Sequence, residues 1–96
     1  MEKLVAYKRM PVWNKDTMPE AVQQKHNTKV GTWGKITVVK GALKFIELTE
    51  DGEVLAEHLF QAGADNPMAQ PQAWHRVEAA TDDVEWYLEF YCRPED

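Results

Sequence analysis

Apolar and polar positions alternate with a period of two along much of this chain. That spacing puts successive side chains on opposite faces of a β-strand. From Glu53 to Phe60, one face carries Val54, Ala56, His58 and Phe60, and the other Glu53, Leu55, Glu57 and Leu59. From Gln72 to Ala79, Ala73, His75, Val77 and Ala79 alternate against Gln72, Trp74, Arg76 and Glu78. Val84 to Cys92 points Val84, Trp86, Leu88 and Phe90 inward and Glu85, Tyr87, Glu89 and Tyr91 outward, and Pro94 ends the run.

The same pattern predicts further strands upstream. Residues 3–8 alternate, and the Met10-Pro11-Val12-Trp13 segment that follows is limited by its proline to an edge or a strand end. Thr32 to Lys40 contains Ile36-Thr37-Val38-Val39, β-branched residues that suit a pleated surface. Gly41 supplies a turn, Leu43 to Leu48 returns as a strand, and Asp51-Gly52 is the strongest hairpin signal in the chain. Glu20 to Lys25 has only Ala21 and Val22 as apolar anchors and leaves open one helical turn or a short strand, with a lean to the strand. Gln61 to Gln70 lacks periodicity and reads as a loop, long enough to suggest a functional role. About seven short strands with frequent turn signals and no convincing helix imply a β-sandwich or a rolled barrel.

Length and charge narrow the picture. Ninety-six residues, 1–96, make one domain with enough aromatic bulk, four Trp, three Tyr and three Phe, to fill one core. The net charge of −5 argues against nucleic acid and against an anionic membrane surface as partners. No apolar run reaches the ~20 residues of a membrane span, and the N-terminus alternates like a strand instead of forming a secretory signal. A cytoplasmic protein is therefore expected. Cys92 is the single cysteine, so neither an internal disulfide nor a cysteine-built zinc site is available.

Candidate chemistry centres on the three histidines. His75 shares its face with Ala73, Val77 and Ala79 and should point into the barrel, where a neutral imidazole can ligate a metal or exchange a proton. His26 precedes the central strand and is placed to meet His75 at the barrel mouth. His58 is the third candidate on an apolar face. Three converging imidazoles would suit a divalent Zn, Fe, Ni or Cu ion. Two would need a carboxylate such as Glu47 or Glu78. Trp33, Trp74 and Trp86 are candidates to line a pocket, Trp33 and Trp74 as ligand-contacting rings, although side chains of this size more often fill a core. Arg76, on the opposite face from His75, is a candidate oxyanion contact, with a surface ion pair as the plainer reading. Nucleophilic catalysis has little support: the chain contains no serine, and Cys92 has four carboxylates near it in sequence. Exposed strand edges and the apolar first strand favour a homodimer.

The segments MPVWNKDTMPE, KHNTKVGTWGKITVVKGALKF, AEHLF and QPQAWHRVEAATDD resemble the N-terminal domain of the TehB tellurite-resistance family and, more loosely, the YeaR-like proteins. The resemblance implies a cupin-like double-stranded β-helix, a jelly-roll β-barrel. TehB-type proteins often continue into an S-adenosylmethionine-dependent methyltransferase domain, but no strand followed by a glycine-rich nucleotide-binding turn occurs in these residues. Alignment to the cupin metal motifs retains His26 and, after Pro71, His75, while Gly34 stands where a metal-binding glutamate is expected. The expected function is a small-ligand or metal-ion binding or sensing module in tellurite or stress response. A small metal-dependent cupin enzyme and an oligomerisation module are the alternatives.

Overall fold

The computed structural model describes residues 3–94, and these fold into seven strands and one helical turn. In chain order they are β1 (Val5–Arg9), β2 (Trp13–Asn14), α1 (Glu20–Gln23), β3 (Trp33–Lys40), β4 (Ala42–Leu48), β5 (Val54–Gln61), β6 (His75–Ala79) and β7 (Glu85–Cys92). All pairing between strands is antiparallel. Strand β7 is the spine of one sheet: β3 occupies one edge, and β1 and β2 follow one another along the other. The second sheet has the order β5-β4-β6. Among the described residues, no helix is long and apolar enough to cross a membrane.

The inner faces of the two sheets supply the core. Ile36 and Val38 from β3, Leu43 and Phe45 from β4, Phe60 from β5, Val77 from β6 and Trp86 from β7 are all buried in one cluster. Trp13 of β2 packs edge-on against Trp86, with centroids 5.2 Å apart. A pair of this geometry contributes roughly 0.5–1.5 kcal/mol beyond the area it buries. The inward set expected on the last strand is therefore found, with Val84 and Trp86 essentially inaccessible and Leu88 and Phe90 partly covered.

Two segments differ from expectation. Glu20–Gln23 is a helical turn and not a strand. Pro19 precedes it with extended backbone, and the Gln24 side-chain amide, just past its end, donates back to the Glu20 carboxylate. Strand β1 forms, but every residue in it is exposed. A register shift between Ala6 and Lys8 bends it along the edge of β7, so it adds hydrogen bonds and little core.

Gly41 joins the sheets. It lies between β3, in the first sheet, and β4, in the second, at φ +69°. A Cβ at this position would lie 2.3 Å from Thr81 Oγ1 and 3.2 Å from the Val84 backbone. The Thr81 hydroxyl also accepts the Ala42 N–H at 3.0 Å, so displacing it breaks a hydrogen bond at the same corner. Gly34 is different: its Cβ would meet Ala69 and Leu88 at an ordinary 3.6 Å, and its backbone is not left-handed. Gly41→Ala should therefore lower stability by about 3 kcal/mol, from left-handed strain plus the lost hydrogen bond. Gly34→Ala should be neutral or raise stability by roughly 0.5 kcal/mol through reduced chain entropy in the unfolded state. Urea unfolding of the two variants checks both signs.

Candidate functional site

The register of the second sheet assembles the site. On its inner face β4 presents Leu43, Phe45 and Glu47; Phe45 lies opposite His58 on β5 and Val77 on β6, and Glu47 lies opposite His75. Because directly opposed residues share a face, Glu47, His58 and His75 form a polar group beyond the apolar row of Phe45, Phe60 and Val77. A cleft of about 320 Å³ opens over them, closed on its other side by Pro67–Gln70 and Trp74. The long loop thus forms one wall of the cleft.

His75 is buried, at 5% exposure, and its polar atoms are accounted for one by one. Its backbone N–H donates to the His26 carbonyl at 2.8 Å, and the His26 N–H donates back at 3.0 Å. This reciprocal bridge ties the segment after α1 to the start of β6. The ring Nδ1 of His75 lies 2.9 Å from the Ala73 carbonyl, and that of His26 lies 2.8 Å from the Gln24 carbonyl. A carbonyl only accepts, so each Nδ1 carries the proton and donates it. In the neutral rings the lone pair therefore resides on Nε2, and neither Nε2 has a hydrogen-bond partner among the described residues. The two rings meet edge to face, with centroids 4.3 Å apart.

Burial holds the His75 pKa down to about 4, and the neighbouring His26 pushes in the same direction. The Ala73 carbonyl and Glu47 oppose the shift without overcoming it. His75 is thus a neutral hydrogen-bond acceptor across the physiological range.

Of the remaining candidates, some join this group and some do not. The His58 Nε2–H donates to Glu47 Oε2 at 2.6 Å, at the solvent-exposed side of the cleft. Trp74 lines the cleft, with the Lys25 ammonium 4.8 Å above its ring. Trp33 lies on the outer face of β3, opposite Tyr91, and reaches the site only by donating its indole N–H to the Gln70 side chain at 3.3 Å. Arg76 and Glu78 are on the outer face of β6 and bond to each other. That hydrogen bond holds the Glu78 carboxyl below its ordinary range. Arg76 is therefore not a cleft residue, and Glu47 is the carboxylate beside the histidines. Among the described residues, no three His, Cys, Asp or Glu side chains converge as a metal ion would require. The three-imidazole convergence is not found, because His58 turns to Glu47 while His26 and His75 pair with each other.

A second, more enclosed cavity of about 120 Å³ lies between the sheets, bounded by Gly34, Ile36, Val77, Trp86 and Leu88. His75 and Ala69 line both spaces. Sequence reasoning did not anticipate this cavity, nor the Glu47–His58 pair.

The His75 proton affinity has a consequence for stability. Its folded pKa lies below the unfolded value of 6.5, so the unfolded chain takes up the proton first as the pH falls. This contribution is intact above pH 6.5, is lost as the pH falls from 6.5 toward 4, and changes no further below that. The loss is on the order of 3 kcal/mol. Urea midpoints measured at about pH 7.5 and about pH 4.5 should differ accordingly, and His75→Leu should remove most of that difference.

Comparison with known proteins gives the chain its relatives. Residues 8–88 match the model of the TehB-like domain. The chain is 62% identical over 94 residues to a probable S-adenosyl-L-methionine-dependent methyltransferase, TehB, of Haemophilus influenzae, covering 98% of this chain and 33% of that protein. The crystal structure of Haemophilus influenzae TehB superposes with a TM-score of 0.94 at 62% identity, over 97% of this chain and 32% of that one. The chain thus spans about a third of the length of TehB. YeaR of Escherichia coli K12 is 30% identical over 90 residues, covering 88% of this chain and 75% of YeaR. A crystal structure of an Escherichia coli K12 protein superposes at a TM-score of 0.86 and 28% identity, over 95% of this chain and 92% of that one. A family match over most of the chain, with the same two-sheet fold in the solved relatives, shows that the chain belongs to the TehB-like domain family.

Proposed function

We infer that the two sheets are the halves of a cupin-like double-stranded β-helix and that the chain is a binding module, with the histidine cleft as its ligand site. One observation carries this reading: His75, which lines the cleft, commits Nδ1 to the Ala73 carbonyl, which leaves a fixed Nε2 acceptor with no partner among the described residues. Orientation by a bond on the other ring nitrogen is how proteins hold an imidazole ready for a ligand.

The surroundings select the ligand class. His75 is neutral, Glu47 brings a carboxylate into the cleft, and Arg76 lies on the other face of the sheet. An oxyanion finds little to stabilise it here. A small neutral molecule bearing a hydroxyl, amide or similar donor fits the His75 acceptor between the apolar walls of Phe45, Phe60 and Met68. A resident metal centre of the cupin kind does not fit, because the two imidazoles lack a third converging ligand among the described residues. The family resemblance supplies tellurite or stress response as the context, with sensing or delivery of the bound molecule as the role. The open edge of β5, which exposes Leu55 and Leu59, supports a homodimer as the assembly.

The test is a chemical-shift screen of small neutral alcohols, amides and phenols against isotopically labelled, untagged protein. Binders should perturb Phe45, Gln70, Trp74 and His75 saturably, and His75→Ala should weaken them at least roughly tenfold, the loss of a hydrogen bond plus cleft packing. Hits that map elsewhere, or that survive His75→Ala unchanged, would overturn the reading. Stoichiometric metal retained through purification and lost with His75→Ala would replace it with a metal site.

A further inference from the structure

Among the described residues, Gln72 is the only one other than glycine with a left-handed backbone, at φ +63°. A residue with a Cβ is disfavoured in that region, and such positions persist only where the surrounding structure holds them. The Gln72 side chain is exposed and makes no hydrogen bond. Its conformation is therefore imposed through the backbone.

That backbone is held by the turn it belongs to and by Thr28. The Ala73 N–H donates to the Gln70 carbonyl at 3.2 Å, closing a β-turn with Pro71 second and Gln72 third. This is the arrangement of a type II turn, whose third position ordinarily takes glycine. The Gln72 N–H donates to the Thr28 carbonyl at 3.0 Å and shares its proton with the Thr28 hydroxyl at 3.3 Å. The same hydroxyl donates to the Gln70 carbonyl at 3.3 Å, and Thr28 is itself buried.

The turn ends at the carbonyl that fixes the cleft histidine. Ala73 accepts the His75 Nδ1–H at 2.9 Å. Further along, the Trp74 carbonyl accepts the Leu48 N–H at 3.0 Å, and His75 exchanges backbone bonds with His26. The sheet thus holds one end of the Ala73–Trp74 segment, and the turn holds the other. If the turn unwound, the Ala73 carbonyl would leave Nδ1, and the ring could carry its proton on Nε2 instead.

We propose that Gln72 is a positioning residue for the cleft: its left-handed turn holds the Ala73 carbonyl on His75 Nδ1, keeps His75 an acceptor, and so selects ligands that bring a hydrogen-bond donor. The selectivity rests on the reading of the cleft as a ligand site. The residue acts through its backbone alone, and the Thr28 hydroxyl clamps the turn from the opposite segment.

The His75 tautomer is read in ligand-free protein by long-range nitrogen–proton correlation near pH 7.5. Gln72→Gly suits the turn and should leave the proton on Nδ1. Gln72→Val, whose branched side chain resists the left-handed region, should move a large share of it to Nε2. Phenol, a donor, and anisole, its methyl ether, are the binding probes. Phenol should bind the native protein about fivefold more tightly, the worth of one net hydrogen bond, and Gln72→Val should erase that preference. Where Gln72→Val does not fold, Thr28→Val removes the hydroxyl clamp at nearly constant volume and should shift the tautomer in the same direction. A folded variant of either kind that keeps the proton on Nδ1 would overturn the proposal, as would a Gln72→Gly protein that loses it. An unchanged preference for phenol after the tautomer has moved would overturn the selectivity. Failure of both probes to bind, with the tautomers as stated, would count against the cleft as a ligand site and not against the hold of Gln72 on His75.

Discussion

The steric constraint at Gly41 is what the two-sheet structure depends on. Strand β3 belongs to the sheet built on β7, and β4 to the sheet it shares with β5 and β6. A single left-handed residue between them turns the chain from one sheet into the other. The turn succeeds because no side chain intrudes where Thr81 and the start of β7 close over the corner. Once the sheets face each other, Ile36, Val38, Leu43, Phe45, Val77 and Trp86 have only each other to pack against. The cleft and the inner cavity are the spaces this packing leaves toward the His26–His75 end.

His75 stands where the two spaces meet. It begins β6, it holds the reciprocal backbone bridge to His26, and its ring borders both the cleft and the cavity. A charged imidazole would be costly in that position, which is why burial outweighs the favourable Ala73 carbonyl and Glu47 and keeps the ring neutral. The neutral ring with its proton fixed on Nδ1 is an acceptor. The cleft it borders is suited to donors. The cleft and the inner cavity share this one histidine.

How far these features are legible in the sequence depends on the length scale of the signal. The period-two pattern gives the strands and their inward residues, because that pattern is a property of each strand alone. The Asp51-Gly52 turn marks the β4–β5 hairpin, but a register shift between Glu47 and Leu48 separates it from the Phe45–His58 pairing, so the Glu47–His58 pair was not legible from the turn alone. The inward phase of His75 follows from its neighbours. The meeting of His26 with His75 was expected at the barrel mouth, but its form, a backbone bridge with edge-to-face rings, rests on the long loop and the segment after α1, where no periodicity operates. Glu20 to Lys25 stayed open between a helical turn and a strand because two apolar residues are too few to show any period. The inner cavity was invisible because an unfilled volume is a property of the whole packing.

The account turns on His75 being a buried, neutral imidazole with its proton on Nδ1. Long-range nitrogen–proton correlation spectra recorded from about pH 8 to about pH 3.5 read both the tautomer and the titration of this ring directly. The account predicts a protonated Nδ1 and an unprotonated Nε2 near neutral pH, with the second proton taken up only near pH 4. A proton on Nε2, or uptake close to the unperturbed value of 6.5, would contradict it.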